Sequence, residues 1–263
     1  TEAVDTNVTR EPEFTHLTLN DSSLVVYMPF DVIPDTLAGR DIWVDSNASG
    51  LNRALHFDGD GDYVDLGNTI WNSFPTNFSQ ITIAAWIYNK VTDQDKVVFG
   101  NTNNGHSSPA GLSAQRFFVK NLSLSSTEGD VTYANIQNVW EFRVGTYNGT
   151  TTSLYVDGVL RDSATSVQGF LETTDEEALI GYGRDSGNAL EYFNGSIDQV
   201  MIFNRSLSKD EISDLYENQT DGRLGNLTGD KSLVGKWRLD EFAGSRLAPD
   251  SSGEGNDGTL TGF

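Results

Sequence analysis

The sequence predicts an all-β protein: a two-sheet antiparallel jelly-roll sandwich with one short helix after the last strand of its main domain. Three observations predict it. Short apolar runs recur every 8–15 residues between clusters of Gly, Asn, Asp and Ser. Several runs alternate with period two: Trp140, Phe142 and Val144 are interleaved with Glu141, Arg143 and Gly145, the pattern of a strand with one face buried and one face wet. Only one segment is convincingly helical.

In order, the candidate strands are Leu24–Phe30, Ala54–Phe57, Tyr63–Leu66, Thr82–Tyr88, Lys96–Phe99, Arg116–Val119, Trp140–Tyr147, Ser153–Val156, Ala178–Ile180 and Ser196–Phe203. Asn148-Gly149 and Asp157-Gly158 are residue pairs that accept positive φ, and each predicts a tight hairpin. Ser208 and Glu211 have capping-box spacing, and Ile212, Leu215 and Tyr216 follow on one stripe, which predicts a helix starting at Ser208. Trp86, Trp140, Tyr155 and Phe203 are spaced as inward residues of two facing sheets.

The chain also repeats itself. Asp21–Asp31 (DSSLVVYMPFD) aligns with Asp230–Asp240 (DKSLVGKWRLD), and Asp45-Ser46-Asn47 with Asp250-Ser251-Ser252. The domain reading that follows has an N-terminal tail (1–20), a sandwich domain (21–218), a Gly/Asp/Asn-rich linker (219–229) and the opening strands of a second, incomplete unit (230–263). Two strands bury no core alone. That unit is therefore expected either to be cut short or to donate strands to a neighbouring subunit, with Leu233, Trp237, Leu239 and Leu260 as the assembly residues.

Composition narrows the function. With 38 acidic against 17 basic residues the net charge is −21, which repels phosphate and argues against nucleic acid as a partner. No cysteine is present, so disulfides, thiolate catalysis and zinc–thiolate sites are excluded. No apolar run reaches the length of a membrane span. Ten Asn-X-Ser/Thr sequons occur, at Asn7, Asn20, Asn47, Asn77, Asn121, Asn148, Asn194, Asn204, Asn218 and Asn226. They lead us to expect a glycosylated, extracellular or cell-surface protein.

These segments resemble the laminin-G-like, concanavalin A-like jelly-roll domains of microbial surface proteins. The resemblance rests on Ser23–Asp31, Ala54–Gly59 with Asp62-Tyr63-Val64, Ile81–Ile87, Val144–Gly149, Leu154–Leu160 and Gly195–Ser208, in the family's order. Leu233–Leu260 resembles the family's opening strand and Asp-Ser-Ser-Gly loop. One departure is Glu141-Phe142, where many members carry His-His. The resemblance implies a structural Ca²⁺ held by Asp45, Asn52 and Asp198, with Asp250 and Asn256 as half of an equivalent site. It also implies a glycan site on the loops or the concave face, for which Asn101–Ser108 is a candidate beside its plainer reading as a polar surface loop.

No catalytic set is visible. The chain lacks the paired carboxylates of a glycan hydrolase on one strand, and its three histidines form no triad with a serine in a sharp elbow. Asp58–Asp62 spaces carboxylates like the first half of a calcium loop, but Tyr63 and Thr69 stand where Gly and Glu belong, and a hairpin turn fits equally. The expectation is a non-enzymatic adhesion or structural protein that assembles head-to-tail into filaments from copies of itself or binds neighbouring domains. The alternative is a calcium-dependent carbohydrate-binding module of a larger extracellular protein.

Overall fold

The computed structural model describes residues 43–46, 51–91, 96–100, 108–120, 128–165, 169–183, 191–220, 230–239 and 245–263. The strand expected at Leu24–Phe30 lies outside these residues.

In chain order the strands are β1 (Trp43–Ser46), β2 (Leu51–Asp58), β3 (Tyr63–Asp65), β4 (Asn77–Phe78), β5 (Ile81–Asn89), β6 (Val97–Gly100), β7 (Ala110–Ser113), β8 (Arg116–Lys120) and β9 (Glu128–Thr132). They continue with β10 (Trp140–Tyr147), β11 (Thr152–Val156), β12 (Val159–Ala164), β13 (Leu171–Glu172), β14 (Leu179–Ile180) and β15 (Asn194–Phe203). The helix α1 (Lys209–Thr220) precedes β16 (Leu233–Trp237), β17 (Leu247–Ala248) and β18 (Gly258–Thr261). One sheet has the order β1-β2-β15-β5-β10-β11-β12, with β16 also on β15. The facing sheet has the order β17-β18-β3-β14-β6-β7-β8-β9, and β13 and β4 pair as a separate two-stranded sheet. All pairings are antiparallel, as the turn-rich sequence requires.

Turn chemistry sets the register. Between β11 and β12, Asp157 (φ 53) and Gly158 (φ 75) make a two-residue turn, and Val156 pairs with Val159. The Asp157 carboxylate also accepts the Phe142 amide at 2.9 Å, tying the turn to β10. At the β10–β11 hairpin, Asn148 Oδ1 accepts the amides of Thr150 (3.1 Å) and Thr151 (2.9 Å). The Asp58–Asp62 stretch differs from the hairpin reading, because β2 and β3 belong to different sheets. It is a corner: Asp62 Oδ2 accepts the Asp58 amide at 2.9 Å, Asp58 Oδ1 accepts the Asp60 amide at 2.8 Å, and Gly59 and Gly61 supply φ near +90°.

The sandwich interior is built from register rows. Across the second sheet Leu260, Val64, Ile180, Phe99, Leu112, Phe117 and Val131 lie side by side. Gly145 of β10 faces this row: a Cβ there would overlap the Phe117 ring. Glu141, Arg143 and Tyr147 share that face by alternation, so the face expected to be wet is instead buried between the sheets, where Glu141 and Arg143 pair with each other. The opposite face of the first sheet is buried as well. Ala84, Trp86, Phe142, Val144, Met201 and Phe203 pack there against Leu207, Ile212 and Leu215, with Trp140, Tyr155 and Tyr216 at the margin. The expectation that Trp86, Trp140, Tyr155 and Phe203 point between the sheets is thus corrected. They form a second core layer under α1, because the helix needs an apolar surface on which to bury its own stripe.

The capping box forms as expected, with Ser208 Oγ accepting the Glu211 amide (3.3 Å) and Glu211 accepting the Ser208 amide (2.7 Å). Thr82 Oγ1 donates to the Arg205 carbonyl (2.8 Å) and accepts the Leu207 amide (2.9 Å), anchoring the entry to α1 on β5.

The C-terminal residues differ most from expectation. The described residues of 230–263 fall in the same compact unit as the rest of the described sandwich. β16 pairs with β15 of its own chain and β18 with β3. Trp237 and Leu239 are completely buried, Leu260 is buried, and Leu233 packs on the outer core layer. The physical reason lies on β15. Its edge away from β5 is taken by β2 only over Asn194–Ile197, leaving Val200–Phe203 to be paired.

Candidate functional site

The expected metal ligands are not brought into one describable cluster. Asp198 is completely buried on β15, at the bulge between Asp198 and Met201, beside Gln199, whose φ is +50°. Asp45 lies on β1 and Asn52 on β2, and their side chains are outside the described residues. Among the described residues no group of three His, Asp or Glu is arranged to hold a metal ion. The Asp250 carboxylate is engaged by the chain itself: Oδ1 accepts the amides of Lys236 (2.9 Å) and Ser252 (2.9 Å), and Oδ2 accepts the Asn256 amide (3.0 Å). The Asn256 side chain donates to the Val234 carbonyl at 2.8 Å, so this pair braces β16.

Four sequon asparagines have described side chains. Asn77 and Asn148 are exposed, and Asn194 and Asn204 half-buried. Asn194 Nδ2 donates to the Asp58 carbonyl at 3.1 Å, linking the corner to β15. Asn218 lies on α1 with its side chain outside the described residues, as are Asn7, Asn20, Asn47, Asn121 and Asn226 entirely. In the candidate glycan loop, residues 101–107 are likewise outside, and Ser108 is buried. His56 Nδ1 lies 3.3 Å from Ser196 Oγ and Nε2 lies 3.2 Å from Lys90 Nζ. A cation thus stands where a triad would place a carboxylate, and Ser196 is buried.

A different constellation gathers at the end of the second sheet. Tyr63 opens β3 one residue before inward-facing Val64, so it takes the outer face. The Glu191 amide donates to the Gly183 carbonyl (2.9 Å) and the Phe193 amide to the Gly181 carbonyl (2.8 Å), which sets Tyr192 opposite Tyr182. Their rings stack with centroids 4.5 Å apart and planes 19° apart, and Tyr63 lies 5.5 Å from Tyr182. All three are half-buried. The residue before Tyr192, Glu191, pairs with Lys96 Nζ at 3.0 Å. Gly181 (φ +83°) makes the approach possible, since a Cβ there would overlap the Phe57 ring. This gathers three aromatic rings and their phenolic hydroxyls on one patch, the mixture of apolar faces and polar groups that small-molecule sites use. Sequence reading missed it because the tyrosines sit in three separate segments. The only local signal was Gly181-Tyr182-Gly183, an aromatic held between two glycines.

The two packed antiparallel sheets and the outer-face helix define a jelly-roll sandwich of the lectin type. A family model described as the concanavalin A-like lectin/glucanases superfamily matches residues 58–213, more than half of the sequence, and the chain belongs to that family. Solved structures agree on the fold. Domain 4 of AbnA, an extracellular GH43 arabinanase from Geobacillus stearothermophilus in complex with arabinotriose, is 15% identical with a TM-score of 0.51; the match covers 66% of this chain and 80% of that one. A protein from Bacteroides ovatus described as carbohydrate-binding is 19% identical with a TM-score of 0.55, covering 81% of this chain and 62% of that one. No curated protein matches the chain in sequence. No helix among the described residues is long and apolar enough to cross a membrane.

Proposed function

We propose that this chain is a carbohydrate-binding module that takes neutral sugar rings on the patch formed by Tyr63, Tyr182 and Tyr192. The observation that carries the reading is that tyrosine cluster. Tyrosine offers a flat apolar face to the C–H side of a sugar at little entropic cost, while its hydroxyl serves the sugar hydroxyls. The fold shared with an arabinanase domain solved with arabinotriose and with a protein described as carbohydrate-binding supports the same class. A net charge of −21 disfavours anionic glycans and selects neutral ones.

The filament reading has less support, because the strands it relied on as free donors are hydrogen-bonded within their own chain. The proposal includes an extracellular, glycosylated, non-catalytic role and a structural Ca²⁺ at Asp45, Asn52 and Asp198. A hard cation with oxygen ligands suits those residue types. A glycan array, run with CaCl₂ and with EDTA, tests the central claim. Signals on neutral oligosaccharides support it, and silence in both conditions rejects it. An identical melting midpoint in EDTA and CaCl₂ rejects the calcium ion.

A further inference from the structure

The tyrosine patch does not end at Tyr63. Thr261 of β18 pairs in register with Tyr63, and Thr259 pairs with Asp65, two residues further along β3. Leu247 of β17 pairs with Thr259 in turn. Residues directly opposite on antiparallel strands share a face, and so do residues two apart on one strand. These side chains therefore lie on the outer face with Tyr63. Burial agrees: Val64, Leu260, Gly258 and Ala248 are buried, whereas Leu247, Thr259 and Thr261 are exposed and Asp65 is half-buried. The strip meets Tyr182 at its inner end and runs to β17, the terminal strand of the sheet. The three steps from β14 through β3 and β18 to β17 make roughly 14 Å, more than a single sugar ring covers.

The backbone under the strip is fixed. Ser245 Oγ accepts the Leu247 amide (3.1 Å) and donates to the Leu247 carbonyl (2.8 Å). The Leu260 amide donates to the Arg246 carbonyl at 3.0 Å. Beyond β18, Phe263 packs edge-on against Phe57 with centroids 5.3 Å apart. The Gly67 amide donates to Asp65 Oδ1 at 2.8 Å, which orients that carboxylate. Hydroxyls and a carboxylate thus follow the aromatic faces, and an apolar side chain closes the row at the edge. Thr and Asp oxygens exchange hydrogen bonds with sugar hydroxyls, and Leu247 offers apolar surface to the C–H side of a ring. Asp65 adds to the net charge of −21 in disfavouring an anionic chain. We infer that the site takes a linear neutral oligosaccharide, about three rings long, laid across β14, β3, β18 and β17 at their spacing. Asp65, Thr259, Thr261 and Leu247 contact the rings beyond the tyrosines. The inference rests on the carbohydrate reading and adds the shape of the ligand: an extended chain rather than a single terminal sugar.

The test is isothermal titration of the full chain with a length series of the neutral glycan selected on the array: its monosaccharide, trisaccharide and pentasaccharide. The parent should gain at least about tenfold in affinity from monosaccharide to trisaccharide, the scale of further rings making contact, and little more from trisaccharide to pentasaccharide. The double variant Leu247→Ala with Thr259→Ala should lose most of that gain while binding the monosaccharide as the parent does. Both side chains are exposed, so its melting midpoint should match the parent's. Tyr182→Ala separates the two readings. If it weakens binding but neither chain length nor the double variant makes a difference, this inference alone is overturned. If it binds every length as the parent does, the tyrosine site falls and this inference with it.

Discussion

Arg205 offers the sharpest test of how the closing strands are held. Its guanidinium donates to both oxygens of Glu211 on α1, at 2.9 and 2.7 Å, and to Asp230 and Ser232 ahead of β16. One side chain thus ties the helix to the residues leading into β16. The Arg205 hydrogen bonds, reinforced by the Ser208 cap, hold the Glu211 carboxyl down at about 2. Asp230 is lowered too: burial opposes the shift, but the hydrogen bonds from Arg205 and Ser232 outweigh it. Charge-assisted bonds of this kind are worth ~1.5–3 kcal/mol each when buried. Here the Arg205, Glu211 and Asp230 side chains are 28%, 34% and 18% exposed, so screening reduces the whole network to about 2 kcal/mol. Arg205→Ala should therefore lower the melting midpoint by about 4–8 °C at pH 7, using ~2–4 °C per kcal/mol for a domain of this size.

The pH dependence follows from the sign of the shift. A carboxyl whose folded value lies below its ordinary 4.5 contributes fully above that value, and the contribution is lost as pH falls towards about 2. The gap between parent and variant, read by differential scanning calorimetry, should close across that window. A gap under about 1 °C at pH 7, or one that persists unchanged at pH 2.5, refutes the clamp.

Three further perturbations probe the two core layers. Glu141→Ala strands the buried Arg143 guanidinium, which also donates to the carbonyls of Tyr133 (3.0 Å) and Ala134 (3.3 Å), and should cost ~3–5 kcal/mol in urea denaturation. The pair Glu141→Leu with Arg143→Met should recover most of that loss. Gly145→Ala drives a methyl into the Phe117 ring and should cost ~1–3 kcal/mol, whereas an unchanged midpoint contradicts the facing of β10 and β8. Trp86→Ala opens the layer under α1 and should cost ~3–5 kcal/mol with loss of helical circular dichroism.

Much of the fold was legible because its signals are local. The Asp157-Gly158 turn, the Ser208–Glu211 box and the alternation along Trp140–Tyr147 each act within a few residues. What escaped is what only the sheets bring together. Trp86 and Phe203 read correctly as buried, but period two names two faces without saying which one meets the other sheet. Glu141 read as a neutral departure from a family pattern; its partner Arg143 is two residues on, yet the reason for the pair is a loop carbonyl reached from inside the sandwich. The repeat at Asp230 was plain in sequence, but sequence similarity to an opening strand does not say which sheet the strand joins. The tyrosine patch needed three segments to meet, and no short-range pattern encodes that.

The central claim rests on the stacked tyrosines, and Tyr182, in contact with both others, is the residue to remove. Isothermal titration of a neutral oligosaccharide selected on the array, into the parent and into Tyr182→Ala, measures it directly. The account predicts binding by the parent and at least about tenfold weaker binding by the variant, the scale of a lost aromatic anchor, with cooperative unfolding retained. Equal affinity in the two proteins would contradict it.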